Sequence, residues 1–224
     1  MKKRLLLLIG FIFLLTGCFD NPEVEPTSES LKDNIEVKKE KYFDKELLFL
    51  KNNNKKNVSI NIEIDYLNDE DTIIYNEAKN ILSVGEKNEI VLKVNNVPSE
   101  YKESRISYDV TISTYIKDYT KNIEIEHKRG NKVIASVKNT SDVTINNLSL
   151  AVVFYNNKKI VGYDEEIILD LKSNEKGTLE FFNPMDKDHN YVKYDDYKIY
   201  TNYAYSFDYE NKSWNRNICV VKYI

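Results

Sequence analysis

The chain has 224 residues, with 32 Lys and Arg against 36 Asp and Glu, a formal charge of −4 and 42% hydrophobic residues. That composition allows one large folded domain or two small ones, and its acidity argues against nucleic acid, whose phosphates demand clustered cations. Two cysteines and two histidines (His127 and His189) are too few for a disulfide framework or for a metal centre built on His or Cys.

At the start, Lys2, Lys3 and Arg4 precede an apolar run from Leu5 to Leu15, and small residues follow. The run is shorter than the roughly 20 residues a helix needs to cross a bilayer, so 1–17 reads as a signal peptide and not as a permanent span. Leu15-Thr16-Gly17-Cys18 resembles the lipobox of bacterial lipoproteins. The resemblance implies that Cys18 becomes the first mature residue, carries a diacylglycerol and holds the protein at the outer face of the cytoplasmic membrane. Two acyl chains anchor stably where one holds only reversibly. Loss of Lys2, Lys3 and Arg4 leaves 29 basic residues against 36 acidic ones, a charge of −7. Cys219, then the remaining cysteine, lies in the apolar stretch Ile218-Cys219-Val220-Val221 and reads as a buried, inert thiol.

After Cys18, residues up to Asp33 hold Pro22, Pro26, Thr27, Ser28 and Ser30 among acids. Little there can be buried, so 18–33 reads as a flexible tether with a mean span on the order of 20 Å.

Beyond it the chain repeats itself. Asn34-Ile35-Glu36-Val37 recurs as Asn122-Ile123-Glu124-Ile125, Leu50-Lys51-Asn52 as Val137-Lys138-Asn139, and Ile62-Glu63-Ile64-Asp65-Tyr66 as Leu150-Ala151-Val152-Val153-Phe154. Tyr108-Asp109-Val110 matches Tyr197-Lys198-Ile199. Four blocks in one order at nearly one offset predict two homologous domains, 34–121 and 122–224.

Each copy reads as β throughout, with the segment Lys41 to Leu50 ambiguous between helix and strand. In the second copy, Val143 to Tyr155 predicts a long strand, Asn156-Asn157 a tight turn and Lys159 to Asp170 the return strand. The longest alternation places Tyr197, Ile199, Thr201, Tyr203, Tyr205, Phe207 and Tyr209 on one face and Lys198, Tyr200, Asn202, Ala204, Ser206, Asp208 and Glu210 on the other. The aromatic face is expected to be buried. The fold class expected is all-β, two tandem antiparallel immunoglobulin-like β-sandwiches.

Val137-Lys138-Asn139-Thr140-Ser141, then Phe154-Tyr155-Asn156 within Leu150 to Asn157, then Ile168-Leu169-Asp170-Leu171 and Glu175-Lys176, resemble the bacterial FxLYD-type sandwich domain. Val152 stands at the place of the signature Phe, Asn156 at that of its Asp, and the turn Lys172-Ser173-Asn174-Glu175 lacks the family's Pro-Gly. In the first copy Asp65-Tyr66-Leu67-Asn68 and Val84-Gly85-Glu86 occupy the corresponding places. The resemblance implies fold and no catalytic residue, and such domains are common on Gram-positive surface lipoproteins.

Catalytic motifs are not written in this chain: glycines are too few for a phosphate loop or a nucleophile elbow, and acid pairs such as Asp164-Glu165-Glu166 are expected among 36 acids. No cofactor or metal is expected. Asp186-Lys187-Asp188-His189-Asn190 begins like a calcium loop but places Tyr191 and Tyr197 where Gly and Glu belong. Eight of the 17 tyrosines fall between Tyr191 and Tyr223, beside Trp214. Tyr191, Tyr194, Tyr200 and Trp214, off the aromatic face, form the expected binding surface. The function expected is a membrane-anchored, non-catalytic binding or interaction module with a cell-wall or protein partner. The alternative is an accessory or substrate-binding lipoprotein of a transporter or envelope-sensing system.

Overall fold

The computed structural model describes residues 26–114 and 116–207. Cys18, Trp214, Cys219 and the signal-like segment lie outside the described residues. What is described is almost entirely antiparallel β-structure. After a short helix α1 (Ser28–Lys32) come β1 (Ile35–Tyr42), β2 (Lys45–Asn52), β3 (Val58–Leu67), β4 (Ile73–Val84), β5 (Glu89–Val94) and β6 (Glu103–Ile112). The second half adds β7 (Ile116–Asp118), β8 (Ile123–Arg129), β9 (Val133–Asn139), β10 (Ile145–Asn156), β11 (Lys159–Leu171), β12 (Lys176–Phe181) and β13 (Asp196–Phe207). The ambiguous segment 41–50 is the end of β1, a turn with Phe43 at φ 51°, and most of β2. No helix among the described residues is long and apolar enough to cross a membrane.

Four sheets result, ordered β4-β3-β6, β1-β2-β5, β11-β10-β13-β7 and β12-β9-β8. The order repeats: β8-β9-β12 reproduces β1-β2-β5, and β11-β10-β13 reproduces β4-β3-β6. Period-two alternation builds each core. Val58, Ile60, Ile62, Ile64 and Tyr66 of β3 meet Leu48, Leu50, Ile90 and Val94, whereas Leu148, Leu150, Val152 and Phe154 of β10 meet Val133, Ala135, Val137, Leu179 and Phe181.

A buried asparagine marks the same corner of both halves. Asn52 donates to Lys56 O, Val84 O and Gly85 O and accepts from Asn54 N, and Asn139 donates to Val143 O and Leu171 O and accepts from Ser141 N. Each ties a strand end to the loop that follows it and to a strand of the facing sheet, and neither has any exposed surface.

A third core joins the halves. Leu47, Phe49 and Val91, on the back of β1-β2-β5, pack with Tyr42 against Ala151, Val153, Ile160 and Tyr200 on the back of β11-β10-β13. The described residues therefore form four stacked layers, β4-β3-β6 and β12-β9-β8 outermost. The repeat explains which faces meet. Glu63 and Asp65 match Ala151 and Val153, and Ser136 and Thr178 match Phe49 and Val91, so positions that are polar on the outer sheets are apolar on the two inner faces that meet, whereas Ile134, matching Leu47, is apolar in both.

Two boundaries differ from the sequence reading. The last part of the expected tether is α1, capped by Thr27, with Leu31 buried at 3% exposure and Ser28 Oγ donating to Val110 O at 2.8 Å. β7, inside the expected first domain, pairs with β13 of the second half.

Candidate functional site

The register of β13 positions the site. Tyr203 pairs with Ser149 but Thr201 with Leu150, so Asn202 is an extra residue, a β-bulge. Before it, Tyr197 and Ile199 point into the second-half core. After it, Ala204 does, and Tyr203 and Tyr205 turn to the opposite face. This corrects the expectation of one continuous buried aromatic face: the inserted residue reverses the alternation, and Phe207 is 36% exposed. Tyr203, Tyr205 and Phe207 instead form a ladder, with neighbouring ring centroids 5.4 Å apart.

Asn202 holds the inter-half junction. Its amide accepts from Val91 N at 2.9 Å and donates to Val91 O at 2.8 Å, filling a backbone position on the otherwise unpaired edge of β5. The same amide donates to Glu165 Oε1 at 3.0 Å; Glu165 also accepts from Ser149 Oγ and, at 2.7 Å, from the Tyr163 hydroxyl. Burial, first, and the Glu165 charge push the Tyr163 phenol well up. The β4–β5 turn closes the junction, Asn88 donating to Thr201 O at 2.9 Å and Glu89 pairing with Lys198 at 2.7 Å. A Cβ at Gly85 in that turn would stand 2.3 Å from Asp118 Oδ2, so any larger residue would displace the Asp118 side chain.

Between the edge of β4 and the ladder on β13 runs a groove of about 600 Å³, within the range of small-molecule sites. β4 contributes 77–83, β5 contributes Ile90 and Leu92, and Asn95 and Asn96 close one end. Tyr203 and Tyr205 form the opposite wall. The inward residues of β4 are unusual for a core strand: Tyr75, Glu77, Lys79, Ile81 and Ser83. Glu77, 7% exposed, pairs through Oε1 with Lys79 at 2.6 Å and accepts from Asn95 N at 3.2 Å. Its Oε2 and the hydroxyl of Ser83, which is 6% exposed, are buried without a hydrogen-bond partner. Burial pushes the Tyr203 phenol up to about 12, with a smaller contribution from Glu165, and raises Tyr205 in the same direction. Both rings are therefore neutral hydroxyl donors at physiological pH.

A second polar cluster is closed. Glu46, 1% exposed, accepts from Tyr66 OH at 2.7 Å and from Tyr101 OH, and pairs with Lys39 at 2.8 Å. Burial pushes its carboxyl up, but hydrogen bonds from Lys39, Tyr101 and Tyr66 outweigh this and hold it below the ordinary glutamate range. Every oxygen there is satisfied, so the cluster fixes the first-half core and offers nothing to a ligand.

The tyrosines expected to form a surface do not converge. Tyr191 is 73% exposed, bridging Met185. Tyr194 packs on Phe154 at 4.8 Å under the Arg129 guanidinium. Tyr200 is 5% exposed, edge-on to Phe49 in the inter-half core, and is no surface residue. The Asp186 carboxylate accepts from the backbone N–H of Asp188 and Asn190, both at 2.9 Å, and so is turned into its own loop. Among the described residues no group of three or more His, Cys, Asp or Glu is placed to hold a metal.

Sequence reasoning missed Glu77, Lys79 and Ser83. The more apolar alternate set of β4, with Ile74, Ala78 and Leu82, is the exposed one, so period two points to the wrong face of this strand. Protein-family models and curated proteins give no match to the chain.

Proposed function

We propose that the protein is a membrane-anchored, non-catalytic binding module of the bacterial cell envelope, made of two tandem immunoglobulin-like β-sandwiches of the FxLYD kind. The observation that carries the binding role is the inter-half groove, where Glu77 Oε2 and Ser83 Oγ are buried and unpartnered beside two tyrosine rings. A buried acceptor without a partner is destabilising, and such groups persist where something outside the fold can satisfy them. The repeated strand order and the twin asparagines support the tandem reading. The cations, short apolar run and Leu15-Thr16-Gly17-Cys18 support the anchor.

The anchor is tested by growth on an alkynyl fatty acid. The wild-type chain should be labelled and sediment with membranes, and Cys18→Ser should lose the label and either appear in the medium or persist as precursor. Labelling that survives Cys18→Ser overturns the lipoprotein reading.

A further inference from the structure

We propose that the groove between β4 and β13 binds a neutral, hydroxyl-rich ligand, a linear oligosaccharide, with Tyr203 and Tyr205 as its stacking wall and Glu77 and Ser83 as its polar floor. The inference rests on the binding-module reading and names its ligand class.

Polarity gives the first argument. Glu77 Oε2 can only accept a hydrogen bond when ionised, and Ser83 Oγ can accept or donate. A ligand that completes them must bring donors into the floor, which excludes a purely apolar occupant. Charge gives the second. Lys79 already sits 2.6 Å from the Glu77 carboxylate, so the floor is a neutralised pair and holds no net charge for a cation or an anion. Hydroxyls meet the demand for donors without adding charge. Aromatic placement gives the third. The Tyr203 and Tyr205 rings, 5.4 Å apart and tilted by 39°, line the wall facing that floor. Amphipathic rings of this kind pack against the C–H face of a sugar while their hydroxyls stay hydrogen-bonded. Finally, the β4 side of the groove is seven consecutive extended residues, 77–83, about 20 Å of strand. That length suits several linked rings better than one small molecule, and Asn80, Asn95 and Asn96 add amides that both donate and accept.

The test is calorimetric titration of the full chain, solubilised in a detergent without a sugar headgroup, with tetrasaccharides of β-linked N-acetylglucosamine and of β-linked glucose. Tetralysine serves as the cationic comparison. At least one tetrasaccharide should bind saturably and with little salt dependence. Glu77→Gln and Tyr205→Ala should each weaken it by about tenfold or more, the range of a lost anchor contact, and Tyr191→Ala should leave it unchanged. Ser83→Ala removes a hydroxyl that bonds to nothing in the fold, so it should weaken binding without lowering the melting temperature; it keeps the test valid if Tyr205→Ala fails to fold. Absence of saturable binding by both sugars overturns the inference, as does binding indifferent to Glu77→Gln and Ser83→Ala, or salt-sensitive binding of tetralysine alone. Failure of the sugars with Cys18 still acylated removes the ligand class and leaves the anchored binding module standing. Failure of acylation with sugar binding intact does the reverse.

Discussion

Val153→Asp puts into the second half the residue that the first half carries at the matching place, Asp65. Val153 has no exposed surface and sits in the inter-half core with Leu47, Phe49, Val91 and Ile160. Full burial of side chains of this size is worth about 1.5–3 kcal/mol each, so the five give on the order of 7–15 kcal/mol of gross stabilisation, an upper value because the unfolded chain already hides some of this surface. Lys198, the cross-strand neighbour of residue 153, is already paired with Glu89, so a carboxylate at 153 either stays uncompensated or breaks that pair, and an uncompensated buried charge costs several kcal/mol. The halves can escape by separating, which solvates the new carboxylate but forfeits the shared core. Total stability should fall by at least about 3 kcal/mol, and urea unfolding should split into two transitions as each half loses its partner. Glu63→Ala, on the exposed face of β3 at the place matching Ala151, should change the unfolding free energy by no more than about 0.5 kcal/mol. A single transition of unchanged midpoint in Val153→Asp would refute the account of why these two sheet faces meet.

Three further outcomes are expected. Asn139→Ala strands the carbonyls of Val143 and Leu171 and the Ser141 N–H, so it should cost about 2–4 kcal/mol, with Asn52→Ala similar, both measured by thermal melts. Phe154→Ala, at zero exposure, should cost about 3–5 kcal/mol, whereas Tyr205→Ala on the groove wall should cost about 1 kcal/mol or less; the reverse order would place the bulge elsewhere. Above pH 10 stability should fall: Tyr42, raised to about 12 mainly by burial, Tyr101, raised to about 12 by burial and by Glu46, and Tyr203 stay protonated in the fold while the unfolded chain ionises. The unfolded state then binds fewer protons, so stability is full below about pH 10 and is lost up to about pH 12, and near-ultraviolet titration should show late tyrosines released on unfolding.

The repeat and the β-class were legible because hydrophobic alternation in β3 is strict, because β10 is a long run rich in β-branched and aromatic residues, and because blocks such as Leu50-Lys51-Asn52 recur at places where the same buried asparagine is needed. The bulge was not legible. Period two in β13 continues unbroken in the letters through Thr201-Asn202-Tyr203, and only pairing with Ser149 and Leu150 shows that one residue is supernumerary. That single insertion carried Tyr203 and Tyr205 to the groove; Tyr200, which precedes it, keeps the face opposite Tyr197 and Ile199 and is buried because the first half covers that face. The third core was present in the letters as differences between repeats, Glu63 against Ala151 and Ser136 against Phe49, since positions that change from polar to apolar between otherwise similar copies mark a face that one copy covers. Helix α1 is too short for periodicity, though Thr27 as its cap and Leu31 as its one buried residue were there to be read.

The two halves stack front to back, the sheet of one half meeting a non-equivalent sheet of the next. Such contacts do not close on themselves, and a unit whose two ends were complementary would add copies without limit, as filaments do. Among the described residues the two outer faces are written differently from the faces that meet: Glu63, Asp65, Ser136 and Thr178 stand where the inner pair carries Ala151, Val153, Phe49 and Val91. A handful of polar residues thus keeps the two outer faces from matching each other, and making both apolar together should give the chain complementary ends able to add copies head to tail.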